Sequence, residues 1–333
     1  MDSQQNPKVV VLTTGGTIAS RPDPSGGVVA AASVEELLEA IPSLEEIADV
    51  QVVDLFKIGG YLMKPENMLE VAKRVRELDA DPDIAGIVIT HGTDTMEETA
   101  YVTDLLAPGD KPAVFTGAQR NAAKPDTDGP RNLRDAIRVA ANPASRGLGA
   151  VIVMGGSIEG AREATKVHTT DSRAFVSPGY GPVGVVTDEG VYVFHPRTRP
   201  TNLAHKPSAL PRVDLVKLAA GMDVTFLRAA REAGTAGIVL EAFGIGNGNH
   251  EVLEEVQTSV RGGVPVVVVS RCPEGRAAPI YGNGGGYDLR EAGAIFGGSL
   301  SGQKSRLLMM VGLSVLEETG ASLEEMLSPH LDL

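Results

Sequence analysis

The sequence predicts an α/β protein: a larger N-terminal domain with a parallel sheet in a three-layer arrangement, then a smaller, Rossmann-like C-terminal α/β domain. Three observations predict it. Short β-branched runs alternate along the chain with amphipathic stretches, the pattern of βαβ units whose helices cover both faces of a sheet. With 333 residues and 42% hydrophobic composition, the chain can bury a large core and is about two domains long. The text then changes at "HPRTRPTNLAHKPSALP", which carries four prolines and little periodicity and reads as a linker. The expected division is residues 1–194, a linker at 195–212, and residues 213–333.

Taken in order, the strands of the first domain are expected at residues 9–12, 50–55, 84–90, 113–116 and 151–154, each a short apolar run. Between the second and third, "PENMLEVAKRVREL" puts Pro65 at a helix start, and Met68, Leu69, Val71, Ala72, Val75 and Leu78 recur on one face. In the second domain, strands at 213–218, 237–240 and 264–270 alternate with helices at 224–231 and 251–261, and a long helix is expected near 303–319. No internal repeat or low-complexity tract interrupts either series.

Composition narrows the partners. The formal charge is −13 and no basic tract of five residues occurs, which argues against a nucleic-acid footprint and for a small-molecule partner. Cys272 is the only cysteine, so no internal disulfide and no cysteine pair for zinc can form. The six histidines contain no H-x-x-x-H pair, which disfavours a metal hydrolase. "GIGNGN" and "GNGGG" lack the G-x-G-x-x-G spacing of a dinucleotide loop, and "TTGGTIAS" lacks the Walker lysine. No metal or cofactor is therefore expected. No run approaches the length of a membrane span, and the start "MDSQQNPKVVV" lacks the pattern of a signal peptide, so the expectation is a cytoplasmic protein.

In an open parallel sheet, ligands bind beyond the carboxyl ends of the strands. The first strand runs into "TTGGT" and the third into "THGTDTMEET", so two hydroxyl-rich loops are expected at one crevice. Gly15 and Gly16 allow a sharp turn and a close backbone approach, which would present Thr17, while Thr13 and Thr14 read as structural hydroxyls at the strand end. Thr93 and Asp94 precede a helix whose first turn carries Glu97 and Glu98, and by pattern alone one of them is better explained as an N-cap. Likewise Lys166, after "GAREAT", reads in isolation as a surface lysine, Asn247 and Asn249 in "GNGN" as a turn, and His91 as packing against its loop.

The longer context alters those readings. "TGGTIAS" at 14–20 and "HGTDTMEETAY" at 91–101 resemble the two signatures of the bacterial-type asparaginase/glutaminase family. "DGPRNL" at 128–133, "GAREATKVHTTDSRAFVSPGYGPVG" at 160–184, "GIGNGN" at 244–249 and "SGQKSRLLM" at 301–309 extend the resemblance over nearly the whole chain. The resemblance implies an amidohydrolase that hydrolyses a small carboxamide, L-asparagine first, through a threonine nucleophile and an acyl-enzyme. Thr17 takes the place of the nucleophile, and Thr93, Asp94 and Lys166 that of a linked proton-transfer set. A threonine hydroxyl needs such a set, being a weak nucleophile at its free pKa. The family also implies a homotetramer of two close dimers, in which Asn247 and Asn249 of a neighbour complete each site.

The departures fall where substrate is recognised. The family's lid commonly holds a tyrosine, and none occurs between Thr17 and Val50. Where many relatives place a serine and a polar residue for the substrate carboxylate, this chain has Gly60 and Tyr61, with Lys57 nearby. An Asn-Asp pair before the lysine motif is Gly155–Gly156 here, and the acidic amino-group ligand has only Tyr281, Asn283 and Asp288 as candidates. Two alternatives follow: an amidase of the same architecture acting on another linear or cyclic amide, and a non-catalytic small-molecule-binding homologue.

Overall fold

Along the first strand Val9 and Val11 pack into one apolar cluster and Val10 and Leu12 into another, so the strand must be covered on both sides. A computed structural model describes residues 6–16, 20–22, 28–30, 34–107, 109–122, 124–194 and 207–331, the side chains of 20–22, 28–30 and 317 apart. It divides into two units, Met1–Leu203 and Ala204–Leu333.

The first unit opens with β1 (Lys8–Gly15), the hairpin β2 (Ser20–Pro22) and β3 (Val28–Ala30), α1 (Val34–Glu39), α2 (Leu44–Ile47) and β4 (Asp49–Ile58). It continues through α3 (Pro65–Asp79), β5 (Ile84–Thr90), α4 (Met96–Leu106), β6 (Ala113–Thr116), α5 (Gly129–Ala141) and β7 (Ala150–Met154). It closes with β8 (Ser157–Gly160), the ribbon β9 (Thr165–Lys166) and β10 (Phe175–Val176), and the hairpin β11 (Gly184–Val186) and β12 (Val191–Val193).

The main sheet has eight strands in the order β12-β11-β8-β7-β6-β5-β1-β4. From β4 to β7 neighbouring strands are parallel, as the βα alternation predicts. Beyond β7 the sheet becomes antiparallel through β8, β11 and β12, which makes it mixed as a whole. The reversal is local chemistry. Gly155 and Gly156 both have positive φ (58° and 80°) between the paired residues Met154 and Ser157, a two-residue hairpin turn of the mirror-image kind that glycine favours. Helices α3 and α4 cover the face of Val10, Leu12, Ile87 and Ile89, and α1 and α5 cover the face of Val9, Val11, Val88 and Val114. In α3 the buried residues are Met68, Val71, Ala72, Val75 and Leu78, the face marked by its spacing. Each Met, Val or Leu side chain among them stabilises the unit by about 1.5–3 kcal/mol when removed from water.

The strand order decides where a site can form. From β1 the chain crosses to β4 on one side, then returns past β1 to β5 on the other. The helices that follow β1 and β5, α1 and α4, cover opposite faces, which makes the carboxyl edge between these strands the switch point where sheets of this kind take ligands.

The second unit is a smaller, wholly parallel sheet in the order β13-β14-β15-β16: β13 (Val213–Lys217), β14 (Gly237–Ala242), β15 (Val266–Ser270) and β16 (Ile295–Phe296). Helices α6 (Thr225–Glu232), α7 (His250–Arg261), α8 (Gly286–Glu291), α9 (Gly302–Thr319) and α10 (Leu323–Leu327) complete it. Its core gathers Leu227, Ile238, Leu240, Val252, Val256, Val268, Leu289 and Phe296.

Candidate active site

The carboxyl edge of the main sheet is held together by main chain. Gly15 and Gly16 leave β1 with φ of 101° and 91°, which L side chains rarely adopt. A Cβ on Gly16 would lie 2.7 Å from the Gly92 Cα, and one on Gly92 would lie 2.6 Å from the Gly60 Cα. The ends of β1, β4 and β5 thus meet backbone to backbone, with no room for a side chain between them. Hydroxyls reinforce the junction. Thr14 Oγ1 donates to the Thr90 carbonyl at 2.8 Å, Thr13 Oγ1 to Asp54 Oδ1 at 2.7 Å, and Thr95 Oγ1 to the Gly60 carbonyl at 2.7 Å. Thr13 and Thr14 are structural, as the sequence suggests. Thr17, the residue after Gly16, lies outside the described residues, as does most of the segment up to residue 33.

At the end of β5 three of the residues singled out from the sequence, Thr93, Asp94 and Lys166, lie in contact. Lys166 Nζ donates to Thr93 Oγ1 at 2.8 Å and to Asp94 Oδ1 at 2.9 Å. Neither Thr93 nor Asp94 caps the following helix, because α4 begins at Met96 with Thr95 in the N-cap position. Nor is Lys166 a solvated lysine: its side chain is 18% exposed, against 57% for Asp94, and Thr93 is buried. The set is therefore enclosed on the threonine and lysine side and open to solvent at the carboxylate.

Lys166 reaches this position through the ribbon of β9 and β10. Phe175 on β10 is buried in the cluster formed with α3 and α4, which fastens the ribbon over the amino end of α4. Beside it, Glu159 is buried and accepts hydrogen bonds from both Ser157 and Ser177, the latter at 2.6 Å. The Lys166 main-chain N–H donates to Glu97 Oε2 at 2.7 Å.

His91 is fully buried with its ring 6.1 Å from that of Phe115, and Nδ1 bonds the Gly92 carbonyl at 2.8 Å. Burial lowers its pKa from 6.5 to about 4, so the ring is neutral at neutral pH and Nδ1 carries the proton. It holds the loop that carries Thr93. Another brace is Asn132 of "DGPRNL", whose amide donates to the Gly117 carbonyl at 3.0 Å and to Asp128 Oδ2 at 3.1 Å, and accepts from Gly155 N–H at 3.1 Å.

Residues proposed from the sequence for recognition are placed less uniformly. Gly60 is buried in the junction, whereas Tyr61 is 74% exposed on a short turn after β4. Lys57 pairs with Asp54 at 3.4 Å. In the second unit, Asn247 Oδ1 accepts from Gly286 N–H at 3.0 Å, and Asn249 caps α7 by accepting from Val252 N–H at 2.8 Å. Within their own unit both asparagines hold local structure. Asp288 accepts from Gly284 N–H at 2.7 Å, Asn283 has φ of 58°, and Tyr281 is exposed. Among the described residues, no group of three or more His, Cys, Asp or Glu side chains could hold a metal ion, and no helix is long and apolar enough to cross a membrane.

Sequence reasoning missed Glu97, which accepts from the Lys166 main chain, and the buried hydrogen-bonding residues Glu159 and Asn132. Glu97 was visible only as an acidic residue in a first helical turn. The contacts of Glu97 and Asn132 span 69 and 23 residues of sequence, a separation that periodicity does not carry.

Together these features define an α/β protein of two units with a lysine–threonine–aspartate set at the switch point of its larger sheet. The sequence matches the family described as "Asparaginase, N-terminal" over residues 8–199 and that described as "Glutaminase/Asparaginase C-terminal domain" over residues 212–327. It is 35% identical to "L-asparaginase" of Bacillus licheniformis over 94% of this chain and 97% of that one. It is 36% identical to "Probable L-asparaginase periplasmic" of Haemophilus influenzae over 92% of this chain and 89% of that one. With "Glutaminase-asparaginase" of Pseudomonas fluorescens biotype A the identity is 32%, over 93% and 87% of the two chains. The chain belongs to the asparaginase family.

Proposed function

We propose that this protein is an L-asparaginase-type amidohydrolase, converting L-asparagine and water to L-aspartate and ammonia. The observation that carries the reading is the contact of Lys166 Nζ with both Thr93 Oγ1 and Asp94 Oδ1, across more than seventy residues of sequence. A surface lysine has no cause to be fixed there, whereas a proton-transfer set requires it. The names of the relatives, L-asparaginase and glutaminase-asparaginase, support the substrate class.

In this reading the Thr17 hydroxyl attacks the side-chain amide carbon and its proton passes into the Thr93–Lys166 pair. The tetrahedral intermediate collapses to a Thr17 ester as the pair passes that proton to the leaving nitrogen, which departs as ammonia; water then attacks the ester, and one of its protons goes through the pair to the Thr17 oxygen as the ester bond breaks. Asp94 orients the Lys166 amine during the transfer. Main-chain N–H groups in the glycine turn or beside Thr93 are suited to the oxyanion. The contact between Gly16 and Gly92 supports the pairing of the two threonines, since each follows one of those glycines directly in the chain.

Gly60 and Tyr61 favour a second reading within the same chemistry. Gly60 offers no side chain to a substrate carboxylate and Tyr61 stands open to solvent, which suits another linear or cyclic amide. We further propose a homotetramer built from two close dimers, with Asn247 and Asn249 of a neighbour closing each site, a linker within 195–212, and a cytoplasmic location. The "periplasmic" of the Haemophilus name makes fractionation of the native cell the test of the last.

The test is ammonia release from asparagine, glutamine, their D-isomers and simple lactams. Wild-type protein is expected to release ammonia from asparagine, and Thr17→Ala to release none. Turnover of a lactam but not asparagine would replace the first reading by the second. No release from any of them would leave the binding-protein alternative.

A further inference from the structure

Lys166 lies on a strand of two residues, and the hydrogen-bond pattern of that ribbon leaves its main chain in a particular state. Lys166 pairs with Phe175, and the next residue along, Val167, donates its N–H to the Ala174 carbonyl at 2.8 Å. In an antiparallel pair, hydrogen-bonded and non-hydrogen-bonded positions alternate, so Lys166 is at a non-hydrogen-bonded position and its N–H points away from β10. The group that takes this N–H is the carboxylate of Glu97, at 2.7 Å, from the buried first turn of α4.

The consequence is a two-point attachment. Residues 93–97 form one continuous piece of chain, running from the end of β5 into α4. That piece binds Lys166 twice: at Nζ through Thr93 and Asp94, and at the main-chain N–H through Glu97. A lysine side chain held only at its tip can swing about its four side-chain torsions. With the main chain also tied to the same segment, the distance from the Lys166 Cα to the two acceptors is set by a closed loop of contacts.

We infer that Glu97 is a positioning residue for the amide hydrolysis: its carboxylate, by accepting the Lys166 main-chain N–H, sets the reach of the Lys166 amine to Thr93 and Asp94. The inference rests on the proposed role of Lys166, whose main chain and not its amine is the group that Glu97 holds.

The experiment compares Glu97→Ala and Glu97→Gln with wild type in kcat, KM, thermal unfolding and hydrogen exchange at the Lys166 amide. Glutamine retains an oxygen that can accept the same N–H, and alanine does not. Glu97→Ala is expected to lower kcat about 100-fold, the cost of a misplacement near 1 Å, while KM stays near the wild-type value. Glu97→Gln is expected to recover most of kcat. The Lys166 amide should exchange slowly in wild type and Glu97→Gln and fast in Glu97→Ala. Unchanged kcat in a folded Glu97→Ala, equal loss in both variants, or a Lys166 amide that stays protected in Glu97→Ala would overturn the assignment. Where Glu97→Ala does not fold, Glu97→Asp replaces it, since the shorter side chain withdraws the acceptor and should lower kcat in the same way. A wild type without amidase activity would sink the functional reading alone, because the exchange measurement tests the Glu97 contact by itself.

Discussion

Single residues at the strand ends carry consequences that can be measured. The lowered pKa of His91 arises from burial, which disfavours the imidazolium. The unfolded chain takes up this proton near 6.5 and the folded chain resists until about 4, so stability from this source is complete above 6.5 and is lost as pH falls from 6.5 towards 4. The total is roughly 3 kcal/mol. We expect the urea midpoint of wild type to fall more steeply over that interval than that of His91→Gln, which keeps a donor for the Gly92 carbonyl but cannot titrate there. Equal slopes would show that His91 charges without resistance. At Thr14, replacement by valine removes the hydrogen bond to the Thr90 carbonyl and should cost about 1 kcal/mol in the same denaturation experiment.

The elements show where sequence is informative and where it is not. β1 and β5 were legible as continuous apolar runs, the mark of strands covered on both sides, and α3 by the apolar face that its spacing displays. The antiparallel edge was not legible, since β8, β11 and β12 are four, three and three residues long, interrupted by turns and too short to display a pattern. Lys166 shows the same limit at the site. Nothing around it in "GAREATKV" separates it from a surface lysine, and only the family resemblance pointed to the contact that the fold makes. The glycine junction was half legible: "TTGGT" announced a tight turn, but the approach of Gly92 to Gly60 joins residues of two different loops. Gly92→Ala is expected to destabilise the first unit by about 1–3 kcal/mol, since its Cβ would meet backbone that cannot rotate away. Calorimetry reads the stability and ammonia release the accompanying fall in kcat; a variant with wild-type values in both would mean that the strand ends part at no cost.

On the scale of the whole molecule, the set at Thr93, Asp94 and Lys166 belongs to one unit and the asparagines proposed to complete it to the other. If a neighbouring copy supplies those asparagines, activity depends on association. Diluting the protein, or splitting it with mild denaturant below the unfolding transition, should remove ammonia release in step with the shift seen by sedimentation velocity. A dissociated monomer with full activity would refute the shared site. The junction of Gly16, Gly60 and Gly92 has a further bearing on how such a protein changes over time. Its spacing is carried by atoms that every residue possesses, so drift in the surrounding loops cannot retune it except by adding a carbon where none fits. If Tyr61 meets substrate as proposed, exchanges at such exposed positions are free to alter which amide is admitted. The architecture thus separates inheritance of a reaction from inheritance of its substrate.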